Sequence, residues 1–562
     1  MKQKSGTPAA RCAQPLMPTA HANRLEFYLL QSYPASPPPG ADEMSDEWRS
    51  EAEMQSLSEE EGDELTEQLC SGTEPALGAS SSSSSSASTM PSGAVAVDEP
   101  ALSAALILLE QQRASGAPLD VLLSRHVRAN GLGQQARSLI SGYLDTVSRC
   151  HGRLESRLQT AGVTSEPRSR LLASICLCTG AKPSDIPNLS AEESEWLDAL
   201  AAPLEAEAVP MEEAARLECP PWAWPSFQAA FGHGEAAAGG SGGAGSGGGG
   251  GGGGASASPQ VAVEMRALQS GAPLDLRVNT LKASREEALS AIRRAGFGAK
   301  PTPYSPVGIR LEERAVPLGQ IPGLLEGVVD PQDEGSQLVA LLLGAQPGER
   351  VVDYCAGAGG KTLALAAEMS NKGKLFAMDI DEGRLGRGAS RHAKAGVDNV
   401  ERHVIESGPT DKWLKRRKRS FDRVLVDAPC SGVGAWRRNP DARWLRKTRP
   451  LCELLPIQAE VLQRAARLVR PGGTLVYATC SMLQEENDEQ VAAFLDSNDG
   501  ADFQLSRPVD FPVPLEEESG YMRLTPARHG TDGFFGAVLM RKEGGWSRAS
   551  RKAGRKRENR DA

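Results

Sequence analysis

The sequence predicts an α/β protein whose C-terminal half is a doubly wound, mostly parallel sheet. Three observations carry that expectation. From Gly344 onward, short apolar runs alternate with helical stretches. A glycine-rich turn, Cys355-Ala356-Gly357-Ala358-Gly359-Gly360-Lys361, follows the first run and opens a helix. Two later apolar runs deliver reactive side chains: Phe421–Val426 stops at Asp427 with Cys430 just beyond, and Gly473–Ala478 stops two residues before Cys480. Open α/β sheets bind ligands at the carboxyl ends of their strands. One aspartate and two thiols at strand ends therefore form a candidate catalytic cluster. The alternative is that both cysteines are small buried residues, as free cysteines often are.

The elements follow in order. Strand Arg350–Tyr354 leads into helix Lys361–Met369, strand Lys374–Met378, helix Asp381–Ala395 and strand Val400–Ile405. Strand Phe421–Val426, helix Leu454–Val469, strand Gly473–Ala478 and helix Glu485–Leu495 come next. Tyr521–Thr525 and Phe534–Arg541 read as a hairpin at the sheet edge. The whole unit is expected over residues 331–541.

The N-terminal half divides by composition. Residues 1–98 hold a triple proline ending at Pro39, an acidic stretch from Asp42 to Glu74 and the run Ser80–Ser86, and read as a disordered tail. Its first residues, with Lys2, Lys4, Arg11 and Arg24 against Glu26, fit a weak organelle transit peptide or a plain tail. Residues 99–233 read as all-α: Leu102, Leu106 and Leu109 recur at helical spacing, and further helices are expected over Ala136–Leu158, Arg168–Cys178 and Ala191–Leu204. Cys176 and Cys178 are assigned to its core. Arg125, Arg128, Arg137, Arg149 and Arg153 are either an RNA-facing surface or solvated helix faces. Residues 234–258, with eight glycines from Gly247 to Gly254, form a flexible linker. Residues 259–330 suggest a small α+β module with strands Leu274–Thr280 and Val307–Leu311 and a helix at Arg285–Ala295. Arg277 and Lys282 flank its first strand, as phosphate contacts or as surface charge. Residues 542–562 end in a basic tail from Arg548 to Arg560, suited to nucleic acid, to a nuclear address or merely to solvent.

The length, 562 residues, suits about three domains. The net charge of -10 belongs to the tail: residues 1–100 carry 5 Lys/Arg and 16 Asp/Glu out of 62 and 72, so the remainder is almost balanced and open to an anionic partner. No apolar run approaches the roughly 18 residues of a membrane helix. The ten cysteines show no CxxC pair, which suggests a reducing compartment with no disulfide framework and no metal site.

The glycine turn lacks G-x-G-x-x-G spacing, and Cys355 stands where a P-loop needs glycine, so it fits a nucleoside better than a pyrophosphate. Asp379 ends the second strand about twenty residues on, the place of a ribose-binding acid. These features are shared by dinucleotide and S-adenosylmethionine sites.

Further motifs narrow the choice: Arg277-Val-Asn-Thr-Leu-Lys282, Gln332-Asp-Glu-Gly-Ser-Gln337, Asp427-Ala-Pro-Cys-Ser-Gly432, Thr479-Cys480-Ser481 with Glu485-Glu486-Asn487, and Arg528-His-Gly-Thr-Asp-Gly-Phe534. With the 355–361 loop, they make residues 270–541 resemble the RsmB/Nop/Sun-type RNA cytosine-5 methyltransferases. The RsmB-like branch, which carries a NusB-like helical RNA-binding domain, is most similar; Cys219-Pro-Pro-Trp222 to Phe231-Gly232 looks like the end of that domain. Two departures stand out. Gly357-Ala358 replaces the family's Ala-Pro, and no clear acid ends the third strand, Glu406 being the nearest.

The resemblance implies an S-adenosylmethionine-dependent enzyme that makes 5-methylcytosine in RNA, ribosomal RNA first. It implies Cys480 as the nucleophile at carbon 6, Asp427 as the group that holds the base and Cys430 as the aid to release. Cys355 to Lys361, Asp379, Glu406 and Asp427 are implied as the cofactor site. The target base must be single-stranded or flipped out. The competing readings are a DNA cytosine-5 methyltransferase using Pro429-Cys430, and a ribosome-assembly factor without turnover. A monomer is expected. The compartment stays open between an organelle and the nucleus or nucleolus.

Overall fold

The computed structural model describes residues 97–200, 211–232, 258–313, 316, 318–406, 411–445 and 449–544. The acidic and serine-rich tail up to residue 96, nearly all of the glycine linker and the C-terminal basic run lie outside the described residues.

The helical region comprises Glu99–Ser115, Leu119–Ala129, Gln134–Arg149, His151–Thr160, Pro167–Ser174 and Ala191–Ala199. They close around Leu108, Ile140, Leu144 and Leu172, the apolar stripes the spacing predicts. The single helix expected over Ala136–Leu158 is two, broken at Cys150. The buried Glu218 carboxylate accepts the N–H groups of Gly152 (2.7 Å) and Arg153 (3.2 Å), so it caps a new helix start. The next expected helix ends in a π-turn, Ile175–Thr179, closed by Gly180 at φ 76°. Cys176 and Cys178 sit on that turn, half-buried against the core.

The small module adds a helix missed in the sequence, Pro259–Gln269, and an antiparallel sheet of four strands. These are β1 (Leu274–Val278), β2 (Ala299–Pro301), β3 (Gly308–Leu311) and β4 (Val329–Pro331), in the order β2-β3-β1-β4. Arg277 is 3 % exposed, donates to Gln332 (2.6 Å) and pairs with Asp330 (3.6 Å). Lys282 Nζ donates to the carbonyls of Glu326 and Lys394, both at 2.6 Å. Arg277 is thus buried in the protein and is not the phosphate contact considered from the sequence, whereas Lys282 joins two segments from an exposed position. Arg149 and Arg153 are likewise turned inward, onto the Gln269 carbonyl (2.9 Å) and Glu218 (2.8 Å), whereas Arg128 and Arg137 remain exposed.

The C-terminal unit is the Rossmann-like α/β sheet expected. Its eight strands are β5 (Arg350–Asp353), β6 (Lys374–Asp379), β7 (Val400–Val404), β8 (Phe421–Asp427), β9 (Val469–Thr479), β10 (Phe503–Leu505), β11 (Met522–Leu524) and β12 (Phe534–Arg541). The order is β10-β12-β9-β8-β5-β6-β7, with β11 also on β12. Strands β5 to β9 pair in parallel. The expected hairpin pairs as β11 with β12, but β12 is interior, between β9 and β10, so the pair is not a simple edge. Val424, Val426 and Leu475 face one apolar layer and Val351, Leu425 and Val476 the other, as strands covered on both faces require. A helix at Glu334–Leu343, absent from the sequence reading, covers the second layer.

The chain runs from β5 outward to β7, then crosses back to β8 and β9. The order therefore reverses at β5, and the ligand crevice opens beyond the carboxyl ends of β5, β6 and β8.

The helical region is bolted to this unit by the turn Pro440–Trp444. Arg443, 1 % exposed, donates to the carbonyls of Glu218 and Leu268, each at 3.1 Å. Trp444 stacks on His151 and donates to the Ser148 carbonyl (3.0 Å), and Asp441 accepts from the Leu119 N–H (3.1 Å). Arg443→Ala strands two buried carbonyls and opens a cavity beside Trp436, which should destabilise the protein by about 3 kcal/mol. Urea unfolding of the variant checks this; an unchanged midpoint would remove Arg443 from the joint.

Candidate active site

Both cysteine-bearing loops are laid backbone to backbone. After β8, Gly432 takes φ 68° and starts a 3-10 turn. The Gly434 N–H then donates to the Cys480 carbonyl (3.0 Å), and the Gly533 N–H donates to the Gly434 carbonyl (2.9 Å). A Cβ on Gly434 would stand 2.2 Å from the Gly533 oxygen and 2.8 Å from that of Cys480, so only glycine fits. This contact brings Cys430 Sγ and Cys480 Sγ to 3.4 Å. The pair predicted from two distant strand ends is thus one site.

The hydrogen bond to Cys480 pushes the Cys430 thiol well above its ordinary pKa, with burial and the charge of Cys480 adding to it. Ser431 and Ser481, the residues after each cysteine, both bond to the turn at Glu486-Asn487.

Lys361 reaches across from the glycine loop and donates to Asp427 at 2.6 Å. Burial opposes the charge on Lys361, but the Asp427 carboxylate and, behind it, the Cys480 sulfur outweigh burial and raise its pKa. Lys361 is therefore a fixed cation between the glycine loop, Asp427 and the Cys480 sulfur.

The loop itself is shaped by Gly357 (φ 55°) and Gly359 (φ 82°). The departure at Gly357-Ala358 is accommodated because glycine takes the left-handed turn without strain. Residues 355–358 stay half-exposed at the end of β5, and Gly360 opens the following helix with its free N–H groups. Burial, then the charges of Asp379 and Asp427, keep the Cys355 thiol protonated, so Cys355 serves the loop through its backbone.

Asp379, 4 % exposed, is a brace for that loop. Its carboxylate accepts from the N–H of Gly357 (2.9 Å), the N–H of Asp381 (2.9 Å) and the Arg384 guanidinium (2.9 Å). Arg391, which the sequence reading missed, donates to the Ala358 carbonyl and to Asp330, each at 2.7 Å, tying the loop to β4. Its signal was one turn-spaced face, Arg384 and Arg391, on the helix after β6. Glu406 lies beyond β7, where its backbone N–H donates to the Asp411 carboxylate (3.3 Å).

Residues 340–540 match the family described as 16S rRNA methyltransferase RsmB/F, and residues 260–318 match the ferredoxin-like domain of RsmF/B-like methyltransferases. Over these residues the chain is similar to the RsmB/F family. It is 39 % identical over 270 residues to the ribosomal RNA small subunit methyltransferase B of Salmonella newport and of Salmonella typhi. That alignment covers 48 % of this chain and 60 % of each relative, so the chain spans about three-fifths of their length. The solved structure of PH0851 superposes with a TM-score of 0.62 at 25 % identity, covering 79 % of this chain and all of the other. The stretch that matches carries the glycine loop, which is braced by Asp379 and Arg391 and is shaped to suit a nucleoside.

Asp353, which ends β5, gives this site a pH signature. It is fully buried, accepts from the Thr362 hydroxyl (2.7 Å), and its other oxygen has no partner. Burial raises its pKa to about 7, against the Thr362 hydrogen bond. Because the folded value lies above the unfolded one of about 3.9, its stabilising contribution is complete below about pH 4. It is lost as pH rises to about 7. Asp353→Asn is neutral throughout, so its stability relative to the parent should rise between pH 4 and 7, by about 2–4 kcal/mol, and then level off. Unfolding midpoints measured across that range test it; a constant difference would contradict the assignment.

Proposed function

We propose that the protein is an S-adenosylmethionine-dependent RNA cytosine-5 methyltransferase acting on ribosomal RNA. The observation that carries this reading is the pair of strand-end sulfurs 3.4 Å apart beside the Lys361–Asp427 ion pair. The relatives named ribosomal RNA small subunit methyltransferase B support the choice of RNA.

Carbon 5 of cytosine is a weak nucleophile, and addition of a thiolate at carbon 6 makes it enamine-like. Cys480 forms that bond, and the electrons of the 5,6 double bond move to carbon 5. Lys361, a cation electrostatically linked to the Cys480 sulfur, faces the charge that the attacking thiolate carries. Asp427 holds the amidine edge of the base against the charge that addition creates. S-adenosylmethionine, bound on the glycine loop, supplies the electrophilic methyl group. Cys430, its own proton gone to solvent, then takes the proton of carbon 5. The electron pair restores the double bond and expels the Cys480 sulfur. Cys355 to Lys361 line the cofactor side, and Asp379 acts on the cofactor chiefly through the loop it braces.

Asp379→Ala should weaken S-adenosylmethionine binding by about 1–3 kcal/mol, since three donors lose their acceptor and the loop relaxes. Calorimetry returning the parent affinity would exclude it from the site.

The two thiols should fail in opposite ways. Cys480→Ala should form no adduct, whereas Cys430→Ala should leave methylated RNA attached to Cys480 and stable to denaturing electrophoresis. A DNA-type arrangement, with Cys430 of Pro429-Cys430 as nucleophile, gives the reverse pattern. A factor without turnover transfers no labelled methyl group with either cysteine intact.

A further inference from the structure

We propose that Glu486 and Asn487 are positioning residues that divide the reaction: Asn487 holds Cys480 for attack and Glu486 holds Cys430 for release. The assignment rests on the reaction proposed above and concerns the same two sulfurs. Neither side chain is placed to touch substrate; each acts through the residues that flank one cysteine.

Asn487 is fully buried. Its Oδ1 accepts from the Thr479 hydroxyl (2.6 Å), and its Nδ2 donates to the Ser481 carbonyl (3.0 Å). These are the residues immediately before and after Cys480. The Thr479 oxygen also accepts from the Ser481 N–H (3.2 Å), which closes the turn on itself. Cys480 therefore has its backbone held on both sides by one amide.

Glu486, also fully buried, does the same for the other loop. Its Oε1 accepts from the Ser431 N–H (2.8 Å) and its Oε2 from the Ser431 hydroxyl (2.6 Å). Gln458 Nε2 donates to Oε1 (3.0 Å) and also to the Pro429 carbonyl (3.0 Å). Pro429 and Ser431 flank Cys430, so that thiol too is held from both sides. The turn is pinned in turn by the Tyr477 hydroxyl on the Glu486 carbonyl (2.7 Å).

The chemistry of the two clamps differs in a way that experiment can read. A buried carboxylate is kept in place by donors that all point at it. Here these are an N–H, an O–H and an amide. Glu486→Gln keeps the shape but removes the charge, and the Ser431 hydroxyl must turn to accept from the new NH₂ group, so the hold on the Cys430 loop weakens. The amide clamp on Cys480 is untouched. Misplacing a reacting group by about 1 Å costs on the order of 100-fold in rate, and the cost falls on the step that uses Cys430.

Glu486→Gln should therefore transfer methyl once and stall. On denaturing gels with labelled cofactor and cytosine-containing RNA it should accumulate the covalent complex, as Cys430→Ala does, while steady-state turnover falls about 10- to 100-fold. Asn487→Ala should lower the single-turnover rate by a similar factor and accumulate no complex. Cofactor affinity should stay at the parent value in both, which a collapse of the site would not allow. If Cys430→Ala traps RNA and Glu486→Gln does not, the division of roles is wrong and the reaction stands. If Cys430→Ala traps nothing, the reaction and the division fall together. Where Glu486→Gln does not fold, Ser431→Ala, which removes one donor, must also accumulate the complex; its absence overturns the proposal.

Discussion

Gly434 is the point on which the candidate active site depends. Its N–H and C=O are both consumed by neighbouring backbone, the first by Cys480 and the second by Gly533. Two strand ends about fifty residues apart in sequence can place their sulfurs in contact only if the intervening backbone carries no side chain. A Cβ at Gly533 would meet Met482 at 2.6 Å, so the close approach is enforced from both sides. The apolar cluster behind it joins Val433 and Met482, one from each cysteine loop, to Phe227 and Met265 of the preceding helices. The two cysteine loops and the end of the helical region thus share one core.

Electrostatics adds a second constraint. Asp353, Asp379 and Asp427 end three neighbouring strands, so three carboxylates crowd one crevice. Each is handled differently. Asp427 has Lys361, Asp379 has two N–H groups and Arg384, and Asp353, left with one hydroxyl, answers burial with a raised pKa. Lys361 is held in place by this arrangement. Its charge survives burial because Asp427 outweighs the desolvation cost.

The joint between modules has the same economy of partners. Arg391 spans the glycine loop and β4, and Arg277 meets the same Asp330 from the other side. Arg443 and Trp444 fasten the strap after the Cys430 loop to the helical region. Arg277, offered by the sequence as a phosphate contact or surface charge, is one of these internal fasteners.

By itself the sequence determined the sheet, the glycine loop and the three reactive strand ends, because these are written in local apolar runs, in glycine spacing and in the residue at which each run stops. Tertiary structure alone decided what those residues meet. It showed that Glu486 and Asn487, visible only within a motif, grip the two cysteine loops, and that Arg277 is buried against Gln332 and Asp330. It split one long helix at Cys150 because Glu218, more than sixty residues away, competes for its N–H groups. It moved β12 inside the sheet by pairing it with β9 on one side and β10 on the other. Periodicity reports which face of an element is apolar. It does not report the partner of a buried polar group, since that partner is brought near by the packing of distant segments and leaves no trace in local spacing.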